Sequence, residues 1–119
     1  MGISFEINAE EGVIYSIAEG TIGLEDSLAH RKNLLADPKF HPDLVEIVEF
    51  RLSGFRFSPE EVKALTFSTV PSERPRKLAV VADGPKRKLA LRFKEWVKAK
   101  VLVEVFTDFG SAKKWTTSD

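Results

Sequence analysis

Leu78-Ala79-Val80-Val81-Ala82-Asp83-Gly84-Pro85 decides the reading of this chain. Five consecutive apolar residues are too few for a core helix. An uninterrupted apolar run of that length fits a strand covered on both faces. Asp83-Gly84-Pro85 then stops the strand, because Gly84 frees the backbone to turn and Pro85 presets φ for a first helical turn. The spacing beyond predicts a helix over about 85–100. Leu89, Phe93 and Trp96 form its apolar stripe, and Lys86, Arg87, Lys88, Arg92, Lys94 and Lys98 cover the rest. A buried strand feeding an amphipathic helix is one half of a parallel βα unit.

The same alternation continues on both sides. Toward the C-terminus, 101–106 reads as a last strand, and Thr107-Asp108 caps a short helix through Ala112 and Trp115. Toward the N-terminus, Pro71 to Pro75 breaks a helix with a strong start. Ser58 is its N-cap, Pro59 its first residue, and Glu61 completes a capping box, with Val62, Leu65, Thr66 and Val70 on its inner face. Before that helix come a strand at 44–50 and a loop at 51–57 containing Ser53-Gly54. A helix over about 24–36 precedes them. Leu24, Leu28 and Leu35 make its expected stripe, and Arg31 lies within that stripe, where it either snorkels with its stem at the core edge or meets an acidic partner. Asp37-Pro38 ends it. Ile3, Phe5 and Ile7 alternate with polar residues, as do Val13, Tyr15 and Ile17, and Glu10-Glu11-Gly12 lies between them as the turn of a β-hairpin.

The order β-β-α-β-α-β-α-β-α predicts an α/β domain. Its mixed five-stranded sheet has an N-terminal hairpin and four helices, and its later strands are parallel. No repeat or linker divides the chain, so residues 1–119 read as one domain, near the commonest domain size.

Four stretches carry a resemblance. They are Leu-Ala-Asp-Pro-Lys-Phe at 35–40, Phe-Ser-Pro-Glu-Glu-Val-Lys-Ala-Leu at 57–65, Leu-Ala-Val-Val-Ala-Asp at 78–83, and Val-Glu-Val-Phe-Thr-Asp at 103–108 leading to Ala112 and Trp115. With the element order, they make the chain similar to the SpoIIAA-like family of small bacterial proteins, grouped with STAS (anti-sigma-factor-antagonist) and Sec14-type domains. The resemblance implies the STAS fold and a non-enzymatic regulatory or binding role. Antagonist-type STAS proteins place a phosphorylated Ser or Thr, after an Asp and before a Gly, at the start of the helix that follows the central strand. Here that place reads Phe55-Arg56-Phe57-Ser58-Pro59-Glu60-Glu61, so Ser58 alone stands as candidate phosphoacceptor and the flanking Asp and Gly are missing. As a cap, Ser58 already has a structural task, and the acidic first turn opposes a phosphate.

Catalytic signatures are missing. With no cysteine there is no disulfide, thiolate metal site or cysteine nucleophile. His30 and His41 fit no zinc spacing and read as a helix-surface and a loop histidine. There is no serine-hydrolase elbow, phosphate loop or dinucleotide fingerprint. The expectation is therefore no enzyme, no metal and no cofactor. Ligands of open α/β sheets bind beyond the carboxyl ends of parallel strands. The candidate crevice is accordingly formed by Arg51, Ser53, Arg56, Ser58 and Lys86, with Phe55 and Phe57 as apolar surface.

Charge is uneven although lysine plus arginine balances aspartate plus glutamate at 18 each. Residues 1–50 carry three basic groups against ten acidic ones, a local charge of −7, whereas 74–100 carry ten against two, a local charge of +8. Such asymmetry can orient a protein partner or a second copy of the chain. The basic helix has no outward aromatic residues and the net charge is zero, so nucleic acid is not the expected partner. The N-terminus shows no signal-peptide pattern and no run approaches the ~18 apolar residues of a membrane span, so a cytoplasmic protein is expected. Two functions stay open: a regulatory module that binds a protein partner or homodimerises, and a carrier of a small apolar or amphipathic ligand. Nine phenylalanines make a cavity for the second feasible.

Overall fold

A computed structural model describes residues 2–62, 75–98 and 101–118. Its elements are β1 (Gly2–Asn8), β2 (Val13–Gly23), α1 (Leu24–Ala36), β3 (Val45–Arg56), β4 (Lys77–Val81), α2 (Lys86–Val97), β5 (Leu102–Phe106) and α3 (Phe109–Thr117). Residues 59–62 are helical as well. The inner face expected at Leu65, Thr66 and Val70 lies outside the described residues.

The five strands lie in sequence order, β1-β2-β3-β4-β5. The first pair is antiparallel and the other three are parallel. The hairpin closes as the sequence predicts: Gly12 takes a φ of 72°, and its N–H donates to the Asn8 carbonyl. Each parallel step moves one strand further along the sheet. Right-handed crossovers in one direction place their helices on one face. Accordingly α1 and α2 share a face, over Ile14, Ala18, Val48, Phe50, Leu78, Val80 and Val103. Among the described residues, α3 alone covers the other face, where Ala112 and Trp115 pack on Val13, Val45, Ile47 and Ala79.

The expected helix start at Ser58 forms. The Glu61 N–H donates to Ser58 Oγ at 3.2 Å, and the Ser58 N–H donates to Glu61 Oε1 at 2.9 Å. Asp108 caps α3 by accepting from the Ser111 N–H at 2.8 Å. At the far end of α3, buried Lys77 donates to the Trp115 and Ser118 carbonyls at 3.0 and 2.8 Å. A cation placed there meets the negative end of the helix dipole and supplies donors to carbonyls that lack helical partners.

Two expectations are corrected. The segment 51–57 is not a loop, because β3 continues to Arg56, paired with a β2 that itself runs on to Gly23. Gly20 faces Leu52 but Thr21 faces Gly54, so Ser53 is an extra residue in β3, a bulge. The inner stripe of α1 is also different. Leu28 is 44% exposed and Leu34 is buried, and Ser27, His30 and Arg31 join Leu34 against the interior. The helix has turned to present a polar pair inward, because a strand residue beneath it needs a partner.

Candidate functional site

That strand residue is Glu46. It follows Val45 in β3 and points to the α1–α2 face, where its neighbour in β2 is Ile14. A carboxylate buried there must be paired. The structure pairs it twice: Ser16 Oγ donates to Glu46 Oε2, and His30 Nε2 donates to the same oxygen at 2.9 Å. Phe5 meets the His30 ring edge-on at 5.5 Å, which fixes the imidazole between strand and helix. His30 is thus an interior histidine bonded across the domain, not the helix-surface residue that the sequence suggests.

Charge settles in favour of an ion pair. For Glu46, burial pushes the carboxyl up, but the His30 imidazolium and the bonds from His30 and Ser16 bring it below the ordinary 4.5. For His30, burial pulls the imidazole down, and the Glu46 charge and hydrogen bond raise it above the ordinary 6.5. Each group holds the other in its ionised form. The arrangement is not a hydrolase triad. There the histidine bridges hydroxyl and carboxylate, whereas here the carboxylate is central and the Ser16 hydroxyl is bonded to it and not to the imidazole.

The pair borders a cavity of about 180 Å³ on the α1–α2 face. Its walls are mostly apolar and aromatic: Phe50, Phe55 and Phe57 from β3 and its end, Phe93 and Val97 from α2, Ile22 from β2. Ser27, His30, Arg31 and Glu46 supply the polar part. The Ser53 bulge explains why Phe55 and Phe57 reach it. Before the bulge the even residues Phe50 and Leu52 face inward, and after it the odd ones do. Both phenylalanines pack on Trp96, at 5.2 and 5.4 Å between rings, and Phe50 meets Phe93 at 5.7 Å.

The crevice residues named from sequence lie elsewhere. Arg51 is exposed and bonded to Glu49 at 2.9 Å. Arg56 reaches the start of α1, to Glu25 at 3.4 Å and Asp26 at 3.3 Å. Ser58 is occupied as a cap, Ser53 is the exposed bulge residue, and Lys86 begins α2. Among the described residues no hydrogen bond or ion pair joins Lys86 to the other four. Phe55 and Phe57, expected as apolar surface beside that crevice, belong to the cavity instead. No group of three or more possible metal ligands occurs among the described residues. No described helix is long and apolar enough to cross a membrane.

No family model and no curated protein matches the sequence. Among solved structures, the chain is similar to an uncharacterized protein from the DUF3478 family with a SpoIIAA-like fold, from Shewanella loihica PV-4. The TM-score is 0.62 and the identity 18%, over 97% of this chain and 94% of that one. The fold of this chain is SpoIIAA-like, as its motifs and element order led one to expect.

Proposed function

We propose that this SpoIIAA-like domain is a non-enzymatic binding module that holds a small amphipathic molecule between α1, α2 and the sheet. The observation that carries the reading is the cavity itself: a mostly apolar chamber, with four phenylalanines among its described lining and a buried ion pair at its polar part. Apolar lining with a few placed polar groups is the usual make-up of a small-molecule site. At about 180 Å³ the chamber is smaller than the ~300 Å³ at which drug-sized pockets begin, so the ligand is small. Hydrophobic burial supplies affinity, and the polar end supplies orientation.

Titration calorimetry with eight-carbon amphiphiles, 1-octanol and octanoate, tests the reading. Saturable binding of at least one of them at a single site is expected. Ala18→Leu, which pushes a larger side chain into the chamber, should abolish it without unfolding the domain. Binding of neither, or binding indifferent to Ala18→Leu, overturns the reading.

A second reading, a surface for a protein partner or a second copy, draws on the sheet face beyond α3. There Phe109 is 47% exposed and stacks on Tyr15 at 5.8 Å, beside Ile17 and Ile47. Sedimentation of the wild type against Phe109→Ser tests it. Self-association lost in the variant supports a homodimer, and a monomer in both removes that version.

A further inference from the structure

His30 uses only one of its two ring nitrogens. Nε2 donates to Glu46, while Nδ1 is buried and has no hydrogen-bond partner among the described residues. The residue lines the cavity at its polar end, together with Arg31 and Glu46. We infer that the cavity takes a carboxylate on a short apolar body, held by a hydrogen bond from His30 Nδ1–H. The inference rests on the cavity being the binding site.

The ion pair decides what Nδ1 offers. A neutral imidazole that donates through Nε2 presents a lone pair at Nδ1, whereas an imidazolium donates from both nitrogens. Burial pulls the His30 imidazole down, but the charge and hydrogen bond of Glu46 raise it above the ordinary 6.5. At pH 6 the ring is therefore an imidazolium, and Nδ1 is a buried donor without an acceptor. Such a donor is costly to leave unmet, and an acceptor seated against the ring removes that cost. Glu46 does not block a second carboxylate, because the two nitrogens donate in diverging directions and the ring lies between their partners. The described lining also holds two cationic groups, His30 and Arg31, against the one carboxylate of Glu46, so an anion improves the local balance and an ammonium worsens it. Arg31 carries an interaction of its own, so the orienting bond is assigned to His30. A hydroxyl can accept from Nδ1 as well, but a bond between an ionised donor and an ionised acceptor is the stronger one.

The test compares heads on one body. Titration calorimetry at pH 6 measures octanoate, 1-octanol and octylamine against the wild-type protein. Octanoate is expected to bind at least about tenfold tighter than octylamine, with octanol between them. Nitrogen-15 NMR of the histidine side chains reads the contact itself: saturation with octanoate should shift the His30 Nδ1 signal. In His30→Gln, which can keep a donor for Glu46 but has no Nδ1–H, octanoate should weaken at least about tenfold and octanol less than about threefold. The ranking and the spectrum on the wild type need no variant, so a misfolded His30→Gln leaves the test standing. Octylamine binding as tightly as octanoate, or an Nδ1 signal that bound octanoate leaves in place, overturns the inference while leaving the cavity as a site. Undiminished octanoate binding in folded His30→Gln also overturns it. Failure of all three amphiphiles to bind removes the cavity reading itself, and this inference with it.

Discussion

The two faces of one strand set up different interiors. Val45 and Ile47 of β3 point toward α3, into a close-packed cluster with Val13, Ala79 and Ala112. Glu46, Val48 and Phe50 point the other way, toward α1 and α2, where the packing leaves a chamber. The α3 side packs small and β-branched residues under Tyr15, Phe106 and Trp115, and it is locked at its rim by Lys77, whose ammonium also lies 5.0 Å from the Trp115 ring centre. The α1–α2 side carries large aromatic rings, a buried ion pair and space. Hollows lie on both faces, about 180 Å³ beside the ion pair and about 360 Å³ beside Tyr15, Ile17, Ile47 and Phe109. The buried pair is the sharper difference, since well-packed apolar residues often replace such a pair without loss of stability.

The contrast can be broken most forcefully at the ion pair. His30→Ala leaves Glu46 buried with only Ser16 and should cost about 3–5 kcal/mol in urea unfolding at pH 6. A loss under about 1 kcal/mol would mean that the carboxylate is solvated after all. Next come paired insertions. Ala112→Leu on the filled face should cost about 1–3 kcal/mol by overpacking, whereas Ala18→Leu on the hollow face should cost less than about 1. Equal costs would erase the distinction between the faces. Lys77→Met should cost a similar 1–3 kcal/mol, roughly, because it leaves the Trp115 and Ser118 carbonyls without their donor. Thermal melting reads it. Ser58→Ala should cost about 1 kcal/mol from the lost cap.

Acidity sharpens the same contrast. The raised pKa of His30 contributes stability that is fully present below 6.5 and is lost as pH climbs through the folded value. The lowered pKa of Glu46 contributes stability that is fully present above 4.5 and is lost as pH falls through its folded value. The pair therefore supports the fold most between 4.5 and 6.5. Urea midpoints across pH 4–9 should show that maximum for the wild type and a flatter profile on the alkaline side for His30→Gln.

Much of the architecture is legible in the residues, for physical reasons that can be named. The Leu78–Ala82 run, the Gly12 turn, the Ser58 capping box and the Asp108 cap are local signals, and local chemistry decides them. The site is not local. A helix's inner face is read by counting apolar residues, and in α1 that count favours Leu24, Leu28 and Leu35. The face that turns inward is Ser27, His30, Arg31 and Leu34, at helical spacing but largely polar. The available clue was Glu46, an acid within the apolar run Leu44–Phe50 and on the opposite parity to Val45 and Ile47. An acid at a buried position requires a partner from another element, and His30 is one of only two histidines that could supply an imidazole. Arg51 and Arg56 fall on strand positions and not on loop tips, because β3 runs six residues beyond the 44–50 that the sequence predicts.

The extra residue in β3 has one more consequence. Ser53 acts as a phase shifter: it inverts the in–out rhythm of the strand, so that Phe50, Leu52, Phe55 and Phe57 all fall on one side. Excising Ser53 would move no aromatic ring far along the chain, yet it would send the last two to the opposite side of the sheet and leave the chamber without its outer wall. A single exposed serine thereby sets which side of the sheet carries that wall.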